Sequence, residues 1–360
     1  MSAGVASFRA VHSNNLDALR LVGAVLVIVG HAFVLLGRPQ DWPEVFGMPA
    51  HILGIAIFFT ISGYLIWGSW ERTRSPRHYF VARCLRIFPA LIVVVLLTVC
   101  VIGPVVTTLT TAEYFSNPLT YNYLRNIYLF QPQYLLPGVF EVLPYPGAVN
   151  GSLWTLRAEF ACYLLVPLIA ILPHRLHLPI LAVFAVGSAV VGAAEGVSVG
   201  DSNLSAAAYM WGFFAVGAIV KRMGWARFCR PLPALGVLAL WGAVYAVMPQ
   251  FHMIWAWLAL SYLVLAVGLA STPGVRSAAR YGDMSYGIYL WAFPVQQILL
   301  HYCGWTSPVL NIVTVTLISA VLALASWWWV EKPSLEARGR VADVFSRRPR
   351  PASGTPVAGS

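Results

Sequence analysis

The apolar run LDALRLVGAVLVIVGHAF, Leu16 to Phe33, has membrane length, yet it contains Arg20 and His31. Eleven residues rotate an α-helix by three turns and about 20°, so the two side chains share one face, about 16 Å apart. Ionisable groups at membrane depth are expensive and usually face the bundle interior or a cavity. A guanidinium at the entrance and an imidazole deeper in suit a ligand that is anionic at one end and reactive at the other. Acyl-coenzyme A has that form, with phosphates near the cytoplasm and a thioester on a long arm. The plainer alternative for His31 is a packed, satisfied core histidine.

A second basic set lies in YFVARCLRIFPAL, where Arg83 and Arg86 stand three apart on one helical face, at the expected start of the third membrane helix. Paired guanidinium groups bind phosphates well; simple anchoring at the inner membrane surface is the alternative. Glu159 is the third candidate. It lies seven residues beyond Ser152, about 10 Å into its helix, and His31 lies about 8 Å from the outer end of its own. Similar depth predicts a carboxylate–imidazole pair, in which Glu159 orients His31 and raises its basicity. A structural ion pair, for instance with Arg157, is the alternative for Glu159. Asp17 is expected to pair with Arg20 at i, i+3, and Glu331 with a cytoplasmic arginine. Tyr286, Tyr289 and Trp291 either line a tunnel or pack, packing being the simpler reading. His51 and His301 have no visible partner near the outer surface. The sequence has no metal-ligand cluster and no Gly-x-Ser-x-Gly elbow, so no metal is expected.

These residues need a membrane scaffold. Of 360 residues, 59% are hydrophobic and 10% charged, far from the quarter or so charged in soluble domains. Apolar runs of about 20 residues predict roughly ten helices, near 16–36, 50–69, 86–106, 152–172, 178–194, 205–220, 233–248, 252–270, 284–303 and 307–329. The runs lack the alternation of a barrel, so the fold class is an all-α polytopic transmembrane bundle. With the N-terminus inside, 20 of the 23 Lys and Arg fall in cytoplasmic segments; Arg38, Arg125 and Arg157 are the exceptions. That asymmetry predicts both termini inside. It also assigns the net charge of +10 to topology and a lipid bilayer rather than to nucleic acid. The five cysteines show no paired spacing and read as ordinary thiols. Residues 1–15 form an N-terminal tail, 16–335 the membrane domain, and 336–360 a basic tail expected to be disordered. One long outer segment, about 110–150, is expected to hold a short interfacial helix and irregular structure.

Five stretches, LDALRLVGAVLVIVGH, FFTISGYLI, RCLRIFPAL, GSLWTLRAEFACYLLVPL and YGDMSYGIYLWAFPV, resemble in order and spacing the motifs of the acyltransferase-3 family of bacterial integral-membrane acyltransferases, which includes O-antigen and exopolysaccharide acetylases. The resemblance covers about residues 14–335. It implies transfer of an acyl group, commonly acetyl, from acyl-coenzyme A to a hydroxyl, often of a glycan or glycolipid, at the inner membrane of a bacterium. The family pattern of Arg, ten residues and His falls on Arg20 and His31. Its paired arginines fall on Arg83 and Arg86, and its acidic residue after Ser-Leu-Trp falls on Glu159. The resemblance thus implies His31 and Glu159 as catalytic, and Arg20, Arg83 and Arg86 as donor-binding. One departure is LWAFPV, where Ala292 replaces a histidine common in the family. The rival function is a transporter exporting a glycan or acylated product, with His31 and Glu159 as a proton relay. The expected partners are acyl-coenzyme A, a hydroxyl acceptor and the bilayer.

Overall fold

In a computed structural model, residues 14–194, 198–199 and 202–344 are described. Helices occupy all ten expected positions: α1 Leu16–Leu35, α2 Ala50–Thr73, α3 Pro76–Val106, α4 Gly151–Ala170, α5 His174–Ala193, α6 Leu204–Arg222, α7 Pro231–Val247, α8 Pro249–Gly268, α9 Ser285–Cys303 and α10 Pro308–Glu336. Eight of these are long and apolar enough to cross a membrane, and the chain is a multi-pass membrane protein. The other two are α7, which is shorter, and α9. α9 is long enough but buries Gln296 and Gln297. The amide of Gln296 donates to the Ile28 carbonyl (3.1 Å) and Asn311 (3.0 Å); that of Gln297 donates to the carbonyls of Tyr145 and Ala148. These bonds replace the apolar contacts that the hydropathy pattern would count.

α2 is the central post. It packs against α1 and α6, and glycines set both crossings. A Cβ on Gly54 would meet the Gly23 carbonyl oxygen at 2.4 Å, and one on Gly63 would meet the Phe214 carbonyl oxygen at 2.1 Å. Without a hydrophobic drive between helices in lipid, such small-residue contacts are what allow close packing.

α3 begins at Pro76, ten residues before the expected start. Ser75 is extended and Pro76 takes the first turn, where its missing N–H costs nothing. The polar residues Arg77 and His78 disguise this turn as loop. Arg83 and Arg86 therefore lie two to three turns inside α3 instead of at its start. Near its C-terminal end α3 passes through a π-helical stretch, Thr98–Ile102; α10 has a second, Trp327–Glu331. The outer segment holds two short helices, Thr111–Ser116 and Pro118–Asn122, the first opened by a reciprocal Thr110–Glu113 capping box. It folds back onto the bundle: Tyr114 and Phe140 are buried, and the Tyr114 hydroxyl donates to the Val99 carbonyl.

The expected disordered tail from 336 starts too early. Arg338–Val344 forms a further helix, α11, that packs on α3 with Ala342 fully buried. The polar composition of this stretch hides a helix whose small apolar face docks on a neighbour. The expected N-terminal tail up to residue 13, and the remainder of the C-terminal one, lie outside the described residues.

Candidate active site

At the basic end of the bundle, four elements meet through charge. Arg20 of α1 bonds Asp283 (3.3 Å), and so does Arg86 of α3 (2.5 Å). Arg86 also reaches Glu331 (3.3 Å), which sits buried in the π-helical stretch of α10 and accepts from Ser326 (3.1 Å). The arginine expected beside Glu331 is thus Arg86. The partner found for Arg20 is Asp283, 263 residues away, where the sequence reading expected Asp17. Asp283 precedes α9 and accepts from the hydroxyl and backbone N–H of Ser285. Burial pushes the Asp283 carboxyl up, but the Arg86 and then the Arg20 guanidinium, with the Ser285 bonds, outweigh it and hold it at about 2.

A cavity of about 500 Å³ opens above this network. Five guanidinium groups line it, from Arg20, Arg72, Arg83, Arg86 and Arg338, against the carboxylates of Glu159 and Asp283. Arg83 stands 6.0 Å from the ring centre of Tyr163, and its Nε is buried without a hydrogen-bond partner. No carboxylate pairs with Arg83 among the described residues. It is the deep cation that is still unneutralised. The structure therefore brings Arg20, Arg83 and Arg86 to one cavity, as the sequence implied, but commits two of them to internal ion pairs.

Glu159 lines the same cavity. Its Oε1 accepts from the hydroxyls of Ser62 on α2 (2.6 Å) and Tyr163 one turn along α4 (2.5 Å). His31 is elsewhere. Its ring stacks on His51 at 5.5 Å between centroids and meets the edge of Phe293 at 5.2 Å. His51 and Ser62 are eleven residues apart on α2, about 16 Å by helical rise, so the two groups occupy different layers. Among the described residues no hydrogen bond joins His31 to Glu159. The expected pairing is corrected: depths counted from the ends of two helices agree only if those ends are level. Here the neighbours on α2 show that they are not.

The cavity nonetheless points at His31. Its outer wall includes Ile55, Phe58 and Tyr289. Ile55 is one turn of α2 below His51, and Tyr289 one turn of α9 below Phe293. Tyr289 is held by Thr155 and by the Ser152 carbonyl (2.7 Å). The histidine stack does not line the cavity itself; it stands one helical turn beyond Ile55 and Tyr289, at the end away from the arginines. Both Nδ1 atoms of the stack are buried without partners, and Trp42 covers His51 from the other side at 5.2 Å. The stack depends on Gly30, where an added Cβ would come within 2.5 Å of the His51 backbone N and Nδ1.

A second cavity, about 480 Å³, lies across α4 from the first. Trp154, Arg157, Trp211, Tyr134 and Asn203 line it. Tyr134 also packs on the cluster that contains Phe293.

Sequence reasoning left His51 without a partner, where the structure stacks it on His31, and missed Ser62, Tyr163, Asp283, Arg72 and Arg338. Gly30, immediately before His31, was a usable signal, since a glycine beside a membrane histidine marks a close approach. Asp283 was another, because an acid inside an apolar stretch needs a cationic partner. Nothing local marks Tyr163 or Arg338.

Comparisons with known proteins bear on the family of the chain. The model of an acyltransferase domain family matches residues 13–331. The chain is 32% identical over 333 residues to the O-acetyl transferase of Shigella phage Sf6, covering 89% of this chain and 95% of that protein. It is 30% identical over 364 residues to nodulation protein 10 of Rhizobium leguminosarum bv. viciae, covering 91% and 94%. No solved structure gives a significant match.

Proposed function

The chain belongs to the acyltransferase domain family and is an acyltransferase of groups other than amino-acyl, and on that premise we propose that its donor is acyl-coenzyme A, its acyl group acetyl, and its acceptor a hydroxyl of a glycan or glycolipid. The family membership sets aside the exporter that the sequence alone left open. The observation that carries the donor is the arginine-lined cavity, whose lining ends one helical turn from a histidine stack.

In this reading Arg83 binds the diphosphate, and Arg20 and Arg86, anchored by Asp283, add field rather than direct neutralisation. The pantetheine arm runs along Phe58, Tyr286 and Tyr289. The spacing from Arg20 to His31, about 16 Å, is of the order such an arm spans. His31 accepts the proton of the acceptor hydroxyl as its oxygen attacks the thioester carbonyl carbon. Collapse of the tetrahedral adduct breaks the C–S bond, and the departing thiolate takes the proton from the imidazolium. Initial attack by His31 itself, giving an acyl-imidazole, fits the same geometry; a rapid acyl-enzyme burst separates the two routes. Glu159 holds Tyr163, and through it the surroundings of Arg83, so its role is donor positioning.

The acceptor reading rests on the second cavity, where the flat faces of Trp154 and Trp211 and the polar groups of Arg157 and Asn203 suit a sugar ring. It also rests on similarity to an O-acetyl transferase. The basic-residue asymmetry supports a donor drawn from the cytoplasm across the inner membrane. The test is release of free coenzyme A from acetyl-coenzyme A by purified protein in lipid nanodiscs, with and without glycan acceptors. Release that is abolished in His31→Ala supports the reading. No release from any acyl-coenzyme A would overturn it.

A further inference from the structure

The five guanidinium groups of the donor cavity divide into two kinds. Arg20 and Arg86 share Asp283, and Arg86 also holds Glu331. Glu159 is taken by Ser62 and Tyr163. Arg72, Arg83 and Arg338 have no carboxylate partner among the described residues. The hydroxyl bonds leave the charge of Glu159 in place, so these three cations face one further carboxylate in the cavity, and the remaining excess of positive charge favours a polyanionic ligand.

These cations stand at two levels. Arg83 is deep, beside Tyr163. Arg72 is in the last turn of α2, ten residues and about 15 Å beyond Ser62, the partner of Glu159. Arg338 is the first residue of α11. Both are exposed at the mouth of the cavity. Acyl-coenzyme A has a matching division: a diphosphate at the head of the pantetheine arm, and a separate phosphomonoester on the ribose at the far end. We propose that Arg72 and Arg338 form a second anion site at the mouth, which binds the ribose 3′-phosphate of the donor. This inference rests on the acyl-coenzyme A reading above.

The match to the family model ends at residue 331, and Arg338 lies beyond it. Even so, α11 packs on α3, the helix that carries Arg83 and Arg86, and with Leu335 it completes the cavity wall. Attraction to an anionic membrane surface explains exposed basic residues in general. It does not explain why arginines from two separate elements line one cavity.

The test uses full-length protein in nanodiscs of neutral lipid, titrated calorimetrically with coenzyme A and with 3′-dephospho-coenzyme A. The variants are Arg72→Ala, Arg338→Ala and, as a control on the same helix, Arg340→Ala. Wild type is expected to bind coenzyme A about ten- to a hundredfold more tightly than the dephospho form, the range for losing charge-assisted phosphate bonds. Arg72→Ala and Arg338→Ala are expected to narrow that ratio while leaving affinity for the dephospho form unchanged. Arg340→Ala should behave as wild type. Equal weakening toward both ligands, no weakening, or the same effect from Arg340→Ala would overturn the 3′-phosphate site. In those cases the donor reading still stands on wild-type binding. Wild type that binds neither ligand would overturn the donor reading and this site with it.

Discussion

Arg83 is the residue whose removal separates a ligand-binding cation from a structural one. It has no carboxylate partner among the described residues and a buried, unpartnered Nε. Arg83→Ala is therefore expected to lower donor affinity about ten- to a hundredfold with little loss of stability. Arg83→Lys should recover part of that loss, since lysine keeps the charge and loses the fork. Equilibrium titration beside a thermal melt checks both halves. His31 and Glu159 give a sharper contrast. If they formed one catalytic unit, the double variant would be hardly worse than His31→Ala. Held in separate layers, with Glu159 on Ser62 and Tyr163 and His31 on His51 and Phe293, they should act independently. His31→Ala is expected to cost about 100- to 10,000-fold in turnover, the usual range for a general base, with donor binding intact. Glu159→Gln should raise the donor KM more than it lowers kcat, and the two losses should multiply. A double variant no slower than His31→Ala would restore the paired reading.

Between elements, the decisive contacts are a charge network and a set of glycines. Asp283 ties α1 and α3 to the start of α9, and Glu331 adds α10. The folded pKa of Asp283, about 2, lies below its ordinary 3.8, so its pairing contributes fully above about pH 4 and is lost as pH falls through 2. Asp283→Asn removes that contribution at every pH and leaves two guanidinium groups without this carboxylate. Losing one partner of a largely buried pair costs about 3–5 kcal/mol, read as a lower unfolding temperature in detergent at pH 7. Among the glycines, Gly63→Ala places a Cβ against the Phe214 carbonyl and is expected to prevent accumulation of folded protein. Gly187→Ala meets nothing within 4 Å and should be neutral; protein level in membranes compares them directly. The ten helices were legible because bilayer thickness imposes a length of apolar sequence. The start of α3 and the whole of α11 were not, because one opens with charged residues and the other is held by docking rather than by hydropathy. The arginine set at the basic end was legible from spacing along single helices. The mismatch of His31 and Glu159 was not, since it depends on how three helices are offset, which no spacing within one helix records.

At the scale of the whole molecule, the proposed chemistry requires the arginine-lined mouth to face the cytoplasm and the histidine stack to lie toward the other side. The 20-to-3 division of basic residues predicts that orientation, with both termini inside. The native cysteines provide a test without added reporters. Cys303 is exposed at the end of α9, beside Gly304, on the same side as Trp42 and the outer segment. Cys229 lies between α6 and α7, near Arg222 and Arg227, on the basic side. In intact spheroplasts, a membrane-impermeant maleimide should label Cys303 and leave Cys229 unmodified. In inside-out vesicles the preference should reverse. Single-cysteine variants retaining one or the other make the readout unambiguous, and Cys303→Ser confirms the assignment. Labelling of Cys229 from outside would invert the bundle, placing Arg83 and the cavity mouth on the side without acyl-coenzyme A. That result would remove the donor assignment even if every contact within the site were correct, because the site would then open onto the wrong compartment.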